Sequence, residues 1–391
     1  MSVIAVVCEY NPFHNGHLYN INAAKTSPDD IIVAVMSPNV VQRGDFALFS
    51  KWDRAEAALC SGADLVLEIP SIFALSSAEK YAEGALEVIK LFGGIDTLFF
   101  GSEVGDIEIL KKTAELIKSE KLSKLIKDEL KNGISFACAR TNAISKIDKE
   151  CAEVLKTPNN ILAVEYISAI NKLNLDITSK TIKREAVEHD QKCAFGAFCS
   201  ASFLRENLSE NAIKSYTPEN LHEKYLSLIK NKNYSNGLKS LETALISRLR
   251  TMEKEEISAL PDVSEGLENK IYKAAREQNT LDELLFNIKS KRYTLSRIRR
   301  ILMCALFGIT CDMQKKKVPY ARILGFNKKG ATLLKQKDST TVITSLLKID
   351  KENEEARAFS LLEEKITSVY ALSFENKSYI KNEHQNKIIT K

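Results

Sequence analysis

Short apolar runs recur through the first hundred residues, separated by segments with helical spacing. The runs are rich in β-branched and aromatic residues and cover residues 3–8, 31–36, 65–69 and 97–100. Between them, apolar residues recur every three or four positions, as over residues 52–59 and 81–92. Near-continuous apolar strands that alternate with helices indicate a parallel sheet covered on both faces. We therefore predict an α/β fold for the first part of the chain.

The pattern changes in the second half of the chain. A helix pattern begins at Asn159, and a last strand is predicted over residues 177–184. From about residue 215 to 309 the apolar residues keep helical periods, and no further strand is expected. We therefore predict an α/β domain with a parallel sheet over residues 1–212 and a mainly α-helical domain over residues 213–391. The polar, lysine-rich tail from residue 375 onward is expected to fray.

Composition excludes several classes of protein. Of the 391 residues, 44% are hydrophobic and 27% are charged, which is typical of a soluble globular chain and too apolar for a disordered one. No run of about 18 apolar residues occurs, and the first apolar run lacks the basic start of a signal peptide. The eight cysteines form no CxxC pair and no cluster with histidine. We therefore expect reduced thiols, no metal site held by the protein and a cytoplasmic protein without membrane contact.

Charge is distributed unevenly. The formal net charge is only +5, but Asp312 is the single acid among the many basic residues of the stretch 289–337. Such a stretch is more often a solvated helix face, yet the near-absence of neutralising acids favours an RNA surface here. The predicted RNA-binding residues of this stretch are Arg292, Arg297, Arg299 and Arg300, with RNA rather than DNA as the partner.

The segment that follows the first strand carries the candidate chemistry. Residues 9–18 read EYNPFHNGHL and lead into a predicted helix. In an open parallel sheet, ligands bind beyond the carboxyl ends of the strands, where this segment lies. A helix that begins near Gly16 offers unpaired N–H groups, Gly16 lets the backbone come close to a ligand, and His14 and His17 can donate to phosphate oxygens. The segment predicts a triphosphate site with His14 and His17 as catalytic residues, and helix capping is the alternative interpretation.

Several segments together resemble a known family. The HxGH signature after a first parallel strand is similar to the nucleotidyltransferase superfamily. With QRG at 42–44, GSE at 101–103, PNNIL at 158–162, KRYT at 291–294 and PYARILG at 319–325, nearly the whole chain resembles the tRNA(Met) cytidine acetate ligase family. The resemblance implies a Rossmann-like nucleotidyltransferase domain that binds ATP and carries catalysis, followed by a helical, basic domain that binds tRNA.

The resemblance also implies which residues bind ATP. From the first loop they are Val7, Cys8, Glu9, Tyr10, Asn11, Pro12, Phe13, His14, Asn15, Gly16, His17, Leu18, Tyr19 and Asn20. Further contacts are implied for Gly101, for Asn159 or Asn160 with Asn160 favoured, and for Arg184. The serine-rich helix start typical of the superfamily is matched by Ser200, Ser202 and Arg205, for which a helix cap with a surface charge is the alternative.

The activity implied by the resemblance is a ligase reaction. ATP, with Mg²⁺ on its phosphates, and acetate form acetyl-adenylate, and the acetyl group passes to N4 of the wobble cytidine of elongator tRNA(Met). Because acetate is already ionised at neutral pH, the first step needs positioning and charge neutralisation more than a base. No base for the second step is identified. Arg43 follows the second strand at the same sheet edge and is predicted to contact phosphate or RNA, with a turn-stabilising role as the alternative.

Two other functions remain open at this point. The chain would also suit an adenylyltransferase that acts on a small metabolite, although such enzymes usually lack so long a helical extension. It would also suit a protein that binds ATP and RNA without chemistry. Pyrophosphate release that depends on acetate separates the ligase from both.

Overall fold

A computed structural model describes most of the chain. It covers residues 1–134, 136–184, 196, 198–264, 266–290, 292–335, 337, 340–350 and 352–391. Lys291, which belongs to the basic stretch, lies outside the described residues.

A largely parallel sheet forms the centre of the fold. The described strands are β1 (Val3–Cys8), β2 (Ile31–Met36), β3 (Val40–Val41), β4 (Asp45–Phe46), β5 (Leu65–Glu68), β6 (Thr97–Ser102), β7 (Thr178–Lys183), β8 (Ala321–Phe326), β9 (Val342–Ile343) and β10 (Ile389–Thr390). The strand order is β10-β8-β5-β2-β1-β6-β7, with β9 beside β8, and the β5–β8 pair is antiparallel. β3 and β4 form a separate antiparallel hairpin. The predicted strands at 3–8, 31–36, 65–69, 97–100 and 177–184 are confirmed to within two residues.

Helices cover both faces of the sheet and build the second half of the chain. They are α1 (Asn15–Ala24), α2 (Lys51–Cys60), α3 (Ser71–Ala74), α4 (Ala78–Phe92), α5 (Ile107–Ile117), α6 (Glu120–Leu130), α7 (Phe136–Ser145), α8 (Lys149–Val154), α9 (Pro158–Lys172), α10 (Ala201–Glu206), α11 (Glu210–Tyr216), α12 (His222–Lys230), α13 (Glu242–Thr251), α14 (Lys254–Ser258), α15 (Leu267–Glu277), α16 (Leu281–Ile288), α17 (Leu295–Phe307) and α18 (Glu354–Ala371). The α/β fold with a mainly helical C-terminal part is therefore confirmed. Within the described residues, no helix combines the length and apolarity that a bilayer crossing requires.

The apolar runs are explained by burial on both faces of the sheet. Along β1, Val3 and Ala5 belong to the core on the side of α4 and α9, whereas Ile4 and Val6 belong to the core on the side of α1 and α2. Because successive side chains of a strand point to opposite faces, a strand covered on both sides reads as a continuous apolar run.

The expectation that strands end after residue 184 is wrong. β8 returns from the C-terminal half and pairs antiparallel with β5, and β10 pairs parallel with β8. The apolar pattern did not predict β8 because its sequence, ARILGF, carries an arginine inside a short apolar run. That arginine, Arg322, is buried and bonded to Glu68 and Glu383.

The expectation that the tail frays is wrong, because the tail is docked on the sheet. Glu383 is almost fully buried, and Ile389 and Thr390 extend the sheet beside Gly325 and Phe326. A polar tail can dock because its carboxylate meets buried cations rather than apolar side chains. Strands from the second half of the chain complete the sheet of the first half. The assignment of ATP binding to residues 1–212 and of tRNA binding to residues 213–391 therefore stays a prediction.

Candidate active site at the carboxyl end of the sheet

A buried arginine holds the loops at the carboxyl ends of β1 and β2. The Arg54 side chain is fully buried, and its Nη1 donates to Glu9 O at 2.5 Å and to Ser37 O at 3.1 Å. Its Nη2 donates to Pro38 O, and its Nε donates to Phe49 O at 3.0 Å. One guanidinium therefore bonds to four carbonyls from three loops. These bonds fix the chain that leads into the turn formed by His14 and His17, called the histidine turn below.

The two histidines close the start of α1 on each other. His14 is the N-cap, and its Nδ1 accepts from Gly16 N at 3.1 Å, while the Nδ1 of His17 accepts from His14 N at 3.3 Å. The rings stack with centroids 3.7 Å apart. A neutral imidazole whose Nδ1 accepts carries its proton on Nε2. The hydrogen-bond network thus assigns both rings the Nε2–H tautomer, which suits donation to phosphate oxygens.

Gly16 is needed next to His14, because a side chain at position 16 would crowd the His14 ring. A Cβ at this position would lie 2.9 Å from His14 Cε1 and 3.1 Å from His14 Nδ1. The glycine of the motif therefore makes room for the capping imidazole, a reason that the sequence alone did not reveal.

The turn opens into a cavity of about 290 Å³. The cavity lies at the carboxyl ends of β1, β6 and β7, as predicted for an open parallel sheet. Most of the predicted ATP-binding residues line it, namely Val7, Cys8, Glu9, Tyr10, Asn11, His14, Gly16, His17, Tyr19, Asn20, Gly101, Asn159, Arg184, Ser200, Ser202 and Arg205. Arg43 lines the same cavity.

Five predicted ATP-binding residues are not among its described lining. They are Pro12, Phe13, Asn15, Leu18 and Asn160. Phe13 is fully buried and packs against the Tyr10 ring at 4.7 Å between centroids. Asn15 Nδ2 donates to Ser215 O at 3.5 Å. The Phe13 and Asn15 side chains therefore support the loop rather than face the cavity.

Of the two asparagines, Asn159 faces the cavity and Asn160 lies behind it. Asn160 is buried, and its Oδ1 accepts from Glu103 N at 2.9 Å and Val104 N at 3.1 Å. The Glu103 carboxylate in turn accepts from Asn160 N at 2.7 Å and from Asn159 Nδ2 at 2.7 Å. This reciprocal contact ties the end of β6 to the start of α9. Because the Asn160 side chain bonds to the backbone, Asn159 is the better placed of the two asparagines to contact a nucleotide, and that contact stays a prediction.

Cationic side chains surround the histidine turn. A Cβ at Gly101 would meet the Arg184 side chain at 3.0 Å, so the glycine lets Arg184 lie across the end of β6. Arg205 donates from Nη1 to Asn11 O at 2.6 Å and from Nη2 to Ser202 Oγ at 3.4 Å. Ser200 caps α10 by accepting from Phe203 N at 3.1 Å, as the capping alternative predicted, while it also lines the cavity.

The inner wall of the cavity is aromatic and was missed by sequence reasoning. Tyr81, Phe100 and Tyr166 line it, with the rings of Phe100 and Tyr166 5.8 Å apart. Burial raises the pKa of the Tyr81 and Tyr166 hydroxyls and of the Cys8 thiol well above their usual values, so all three stay protonated. These aromatic residues follow the helical or strand period of a buried face, so no sequence signal separates them from core residues.

Two polar lining residues were also missed. Lys183 precedes Arg184 at the end of β7, where its position next to a predicted site residue was a usable signal. Gln42 lies beside Arg43, and its Nε2 donates to Ser76 O at 3.3 Å. The loop in which both Gln42 and Arg43 lie connects β3 to β4.

The hairpin of β3 and β4 joins the cavity to the basic helix α17. A Cβ at Gly44, whose φ is +75°, would lie 2.4 Å from Arg300 N and 2.5 Å from Arg299 C. Arg299 Nη1 pairs with Asp45 Oδ2 at 2.8 Å, and Arg300 Nη1 donates to Gln42 O at 3.4 Å. The hairpin that carries Arg43 into the cavity is therefore packed against the predicted RNA-binding helix.

The four predicted RNA-binding arginines of the second half all bond within the protein. Arg292 Nε donates to Gly133 O at 2.6 Å, and Arg297 donates from Nε and Nη2 to Asp262 O at 3.0 and 2.7 Å. Arg300 pairs with Asp262 at 3.1 Å, and its side chain is only 10% exposed. Arg292 is the exposed member of the set. They lie outside the cavity, and their contact with RNA stays a prediction.

The chemistry of the cavity suits a metal that arrives with a nucleotide. In the described part of the chain, no group of three or more histidine, cysteine or carboxylate side chains could hold a metal ion. Glu9 is the single carboxylate among the described residues that line the cavity. Mg²⁺ keeps several waters and binds readily to phosphates, so the nucleotide itself could carry the ion without a cage of protein ligands.

Comparison with known proteins gives a consistent picture. A family model described as HIGH Nucleotidyl Transferase matches residues 1–386. Proteins named tRNA(Met) cytidine acetate ligase from Thermoanaerobacter sp. (strain X514) and Thermoanaerobacter pseudethanolicus are each 38% identical to this chain, over 97% of this chain and 97% of their own. The protein of that name from Clostridium tetani is 38% identical over 94% of this chain and 97% of its own.

Solved structures resemble the whole chain. The apo crystal structure of Thermotoga maritima TmcAL superposes with a TM-score of 0.93, at 32% identity over 100% of this chain and 99% of that one. The same protein bound with alpha-thio ATP superposes with a TM-score of 0.90 over the same shares.

Proposed function

This chain belongs to the HIGH nucleotidyl transferase family and, within it, to the tRNA(Met) cytidine acetate ligases, and we propose that it uses ATP to join acetate to the wobble cytidine of elongator tRNA(Met). The product is N4-acetylcytidine, with AMP and pyrophosphate released. A tRNA substrate is consistent with the predicted cytoplasmic location.

The observation that carries the proposal is the paired use of Nδ1 in the histidine turn. Because both Nδ1 atoms accept from backbone N–H groups, the donor edge of each ring is Nε2–H. Two such donors beside Arg184 and Arg205 suit the charge that develops on the α-phosphate and the pyrophosphate during displacement. An oxyanion donor of this kind contributes about 10²–10³ in rate.

Acetate activation follows from the same geometry. An acetate oxygen attacks the α-phosphorus, the bond to the pyrophosphate oxygen breaks, and acetyl-adenylate remains in the cavity. Arg43 and Arg205 supply positive charge that draws the carboxylate toward the phosphate and lowers the repulsion between the two anions. Mg²⁺ bound to the phosphates would supply further charge neutralisation.

The acceptor tRNA approaches, in this proposal, along the side where the hairpin of β3 and β4 meets α17. Arg43 lies on the cavity side of that hairpin, and the exposed Arg292 lies just before α17. Residues 213–391 provide the tRNA-binding part, with Lys315, Lys316 and Lys317 adding exposed charge. Because Arg300 pairs with Asp262, we expect its side chain to support the RNA-binding surface rather than to contact RNA.

The direct test is mass analysis of tRNA nucleosides after incubation with ATP and isotopically labelled acetate. We expect a labelled acetyl group on one cytidine per tRNA(Met), formed only when ATP and acetate are both present. Unlabelled tRNA despite pyrophosphate release with another small acid or cofactor precursor would favour a metabolite adenylyltransferase. Unlabelled tRNA without pyrophosphate release would leave a protein that binds ATP and RNA.

A further inference from the structure

The acetyl-transfer step releases a proton, and the cavity contains one side chain suited to accept it. We propose that Glu9 is the catalytic base that takes this proton from the N4 amine of cytidine, an inference that rests on the proposed ligase function. Glu9 then acts in the second step, on the acceptor, whereas the histidines act in the first step, on the phosphates.

The position of Glu9 is fixed by its neighbours on both sides. It follows β1 directly, its carbonyl accepts from Arg54 Nη1 at 2.5 Å, and its Oε1 accepts from Gln42 N at 2.8 Å. Among the described residues, no group donates a hydrogen bond to its Oε2, and the side chain lines the cavity. The carboxylate is thus held by one oxygen and presents the other, which is the arrangement that a positioned proton acceptor needs.

The histidines, the cationic side chains and three buried thiol and hydroxyl groups of the cavity are unsuited to this role. The Nδ1 atoms of His14 and His17 already accept from backbone N–H groups. The Cys8 thiol and the Tyr81 and Tyr166 hydroxyls remain protonated because burial raises the pKa of each. The remaining charged residues of the described lining, Arg43, Lys183, Arg184 and Arg205, are cations.

Glu9 also lies on the side from which the acceptor would come. Its carboxylate bonds to the backbone of Gln42, and the carbonyl of Gln42 accepts from Arg300 Nη1 of α17 at 3.4 Å. The hairpin that separates the cavity from α17 is therefore attached to Glu9 on one face and to the basic helix on the other.

The transfer step balances with Glu9 as acceptor. The N4 lone pair attacks the acetyl carbonyl carbon of acetyl-adenylate and forms the C–N bond. The bond between that carbon and the phosphate oxygen breaks, and its electron pair leaves with AMP. One N4 proton passes to the Glu9 carboxylate. Attack makes the nitrogen strongly acidic, so its proton passes readily to a nearby carboxylate.

The test separates the two half-reactions in the full-length enzyme. Glu9→Gln keeps an oxygen that accepts from Gln42 N but removes the basic carboxylate. Adenylation is measured as acetate-dependent exchange of labelled pyrophosphate into ATP. Transfer is measured by single-turnover quench of enzyme-bound labelled acetyl-adenylate with tRNA(Met). We expect the transfer rate to fall at least about 100-fold more than the exchange rate, the usual contribution of a general base.

Two further variants keep the result decisive. Glu9→Asp, which keeps a carboxylate on a shorter stem, is expected to recover part of the transfer rate that Glu9→Gln loses. Glu103→Gln alters a carboxylate at the end of the neighbouring strand that bonds Asn159 and Asn160, and it should lower exchange and transfer by similar factors.

The outcomes are distinct. Transfer by Glu9→Gln at the wild-type rate would overturn the assignment and leave the AMP phosphate as the base. Equal losses in exchange and transfer would also overturn it, since Glu9 would then act in adenylation or folding. Absence of acetate-dependent exchange in the wild-type enzyme would instead refute the proposed function.

Discussion

At the scale of single residues, helix capping and the proposed phosphate binding use different nitrogens of the same imidazoles. The Nδ1 of each histidine closes the first turn of α1, which leaves Nε2–H as the donor edge. The two interpretations that the sequence left open are therefore compatible. Capping fixes ring orientation before the nucleotide arrives, so no reorganisation is needed during the reaction.

Replacing His17 with asparagine separates the two uses. Asparagine places its Oδ1 near the position of Nδ1, where it can accept from His14 N, but it has no counterpart of Nε2–H. We expect His17→Asn to fold with nearly wild-type stability and to lose about 10²–10³ of the acetate-dependent exchange rate. Binding of tRNA, measured by filter retention, should change little.

His17→Ala is the matched control for the capping contact. It removes both nitrogens, so it should lose activity to a similar extent and also about 1 kcal/mol of stability in urea unfolding. Full exchange activity in His17→Asn would remove His17 from the chemistry and leave it as a cap.

At the scale of elements, the hairpin of β3 and β4 connects the cavity to α17, the predicted RNA-binding helix. Asp45 Oδ2 pairs with Arg299, and Asp45 Oδ1 accepts from Leu238 N at 2.7 Å. Gly44 allows the turn to lie directly on the α17 backbone. Because Gln42 in the same hairpin holds Glu9, a shift of the hairpin would move the cavity wall.

Gly44→Ala tests this close packing. The new Cβ would meet backbone atoms of α17 at 2.4–2.5 Å, which side-chain motion cannot relieve. We expect a loss of about 2–4 kcal/mol in urea unfolding, combining strain at positive φ with overpacking. Acetyl transfer should also fall.

Gly266→Ala provides the control, because Gly266 has a φ of +81° but its nearest neighbour is the side-chain atom Asn269 Nδ2 at 3.6 Å. Only the backbone strain of about 1 kcal/mol is expected there. Equal losses in the two variants would show that the hairpin does not press on α17.

The exposed Arg292 allows a test of the RNA surface at little expected cost to the fold, because the bond that it donates to Gly133 O is itself exposed. If it contacts a phosphate, Arg292→Ala should weaken tRNA binding for all tRNAs and reduce the slope of log K against log salt by about 1. Arg300→Ala should act differently, because it breaks the pair with Asp262 and so lowers stability. An unchanged salt slope in Arg292→Ala would place the RNA on another face.

The elements differ in how well the sequence predicts them. β1 and β2 were predicted to the residue because burial on both faces gives an uninterrupted apolar run. β8 was not, since Arg322 interrupts its pattern and only the partners Glu68 and Glu383, 254 and 61 residues away in sequence, explain its burial. His14 and His17 were predicted from a local motif, and Arg205 was implied by the family resemblance. The aromatic wall was not, because no local pattern distinguishes Tyr81 or Tyr166 from core residues.

At the scale of the whole molecule, a buried ionic cluster fastens the C-terminal tail to the catalytic sheet. Lys51 of α2 bonds Glu68 of β5 at 2.6 Å and Glu383 of the tail at 2.7 Å. Arg322 of β8 bonds both of these carboxylates. The two cations outweigh burial and lower the pKa of Glu383 to about 2. The tail is therefore a structural part of the fold.

Glu383→Gln tests this attachment. Loss of one carboxylate leaves Lys51 and Arg322 with one buried partner between them, so we expect about 3–5 kcal/mol lower stability in urea unfolding. Glu375→Gln is the control, because Glu375 pairs with Lys232 on the surface, where such a pair contributes about 0–1 kcal/mol. Similar stabilities for the two variants would mean that the tail is not fastened by the cluster.

The histidine turn, in the proposed function, promotes attack of an acetate oxygen on the α-phosphorus of ATP. The most direct measurement uses acetate labelled with ¹⁸O in both oxygens, with mass analysis of the AMP and pyrophosphate formed during acetylation of tRNA(Met). Attack on the α-phosphorus predicts one ¹⁸O in each AMP and none in pyrophosphate, because the bridging oxygen stays with AMP when the acetyl group leaves. AMP without ¹⁸O would contradict the account.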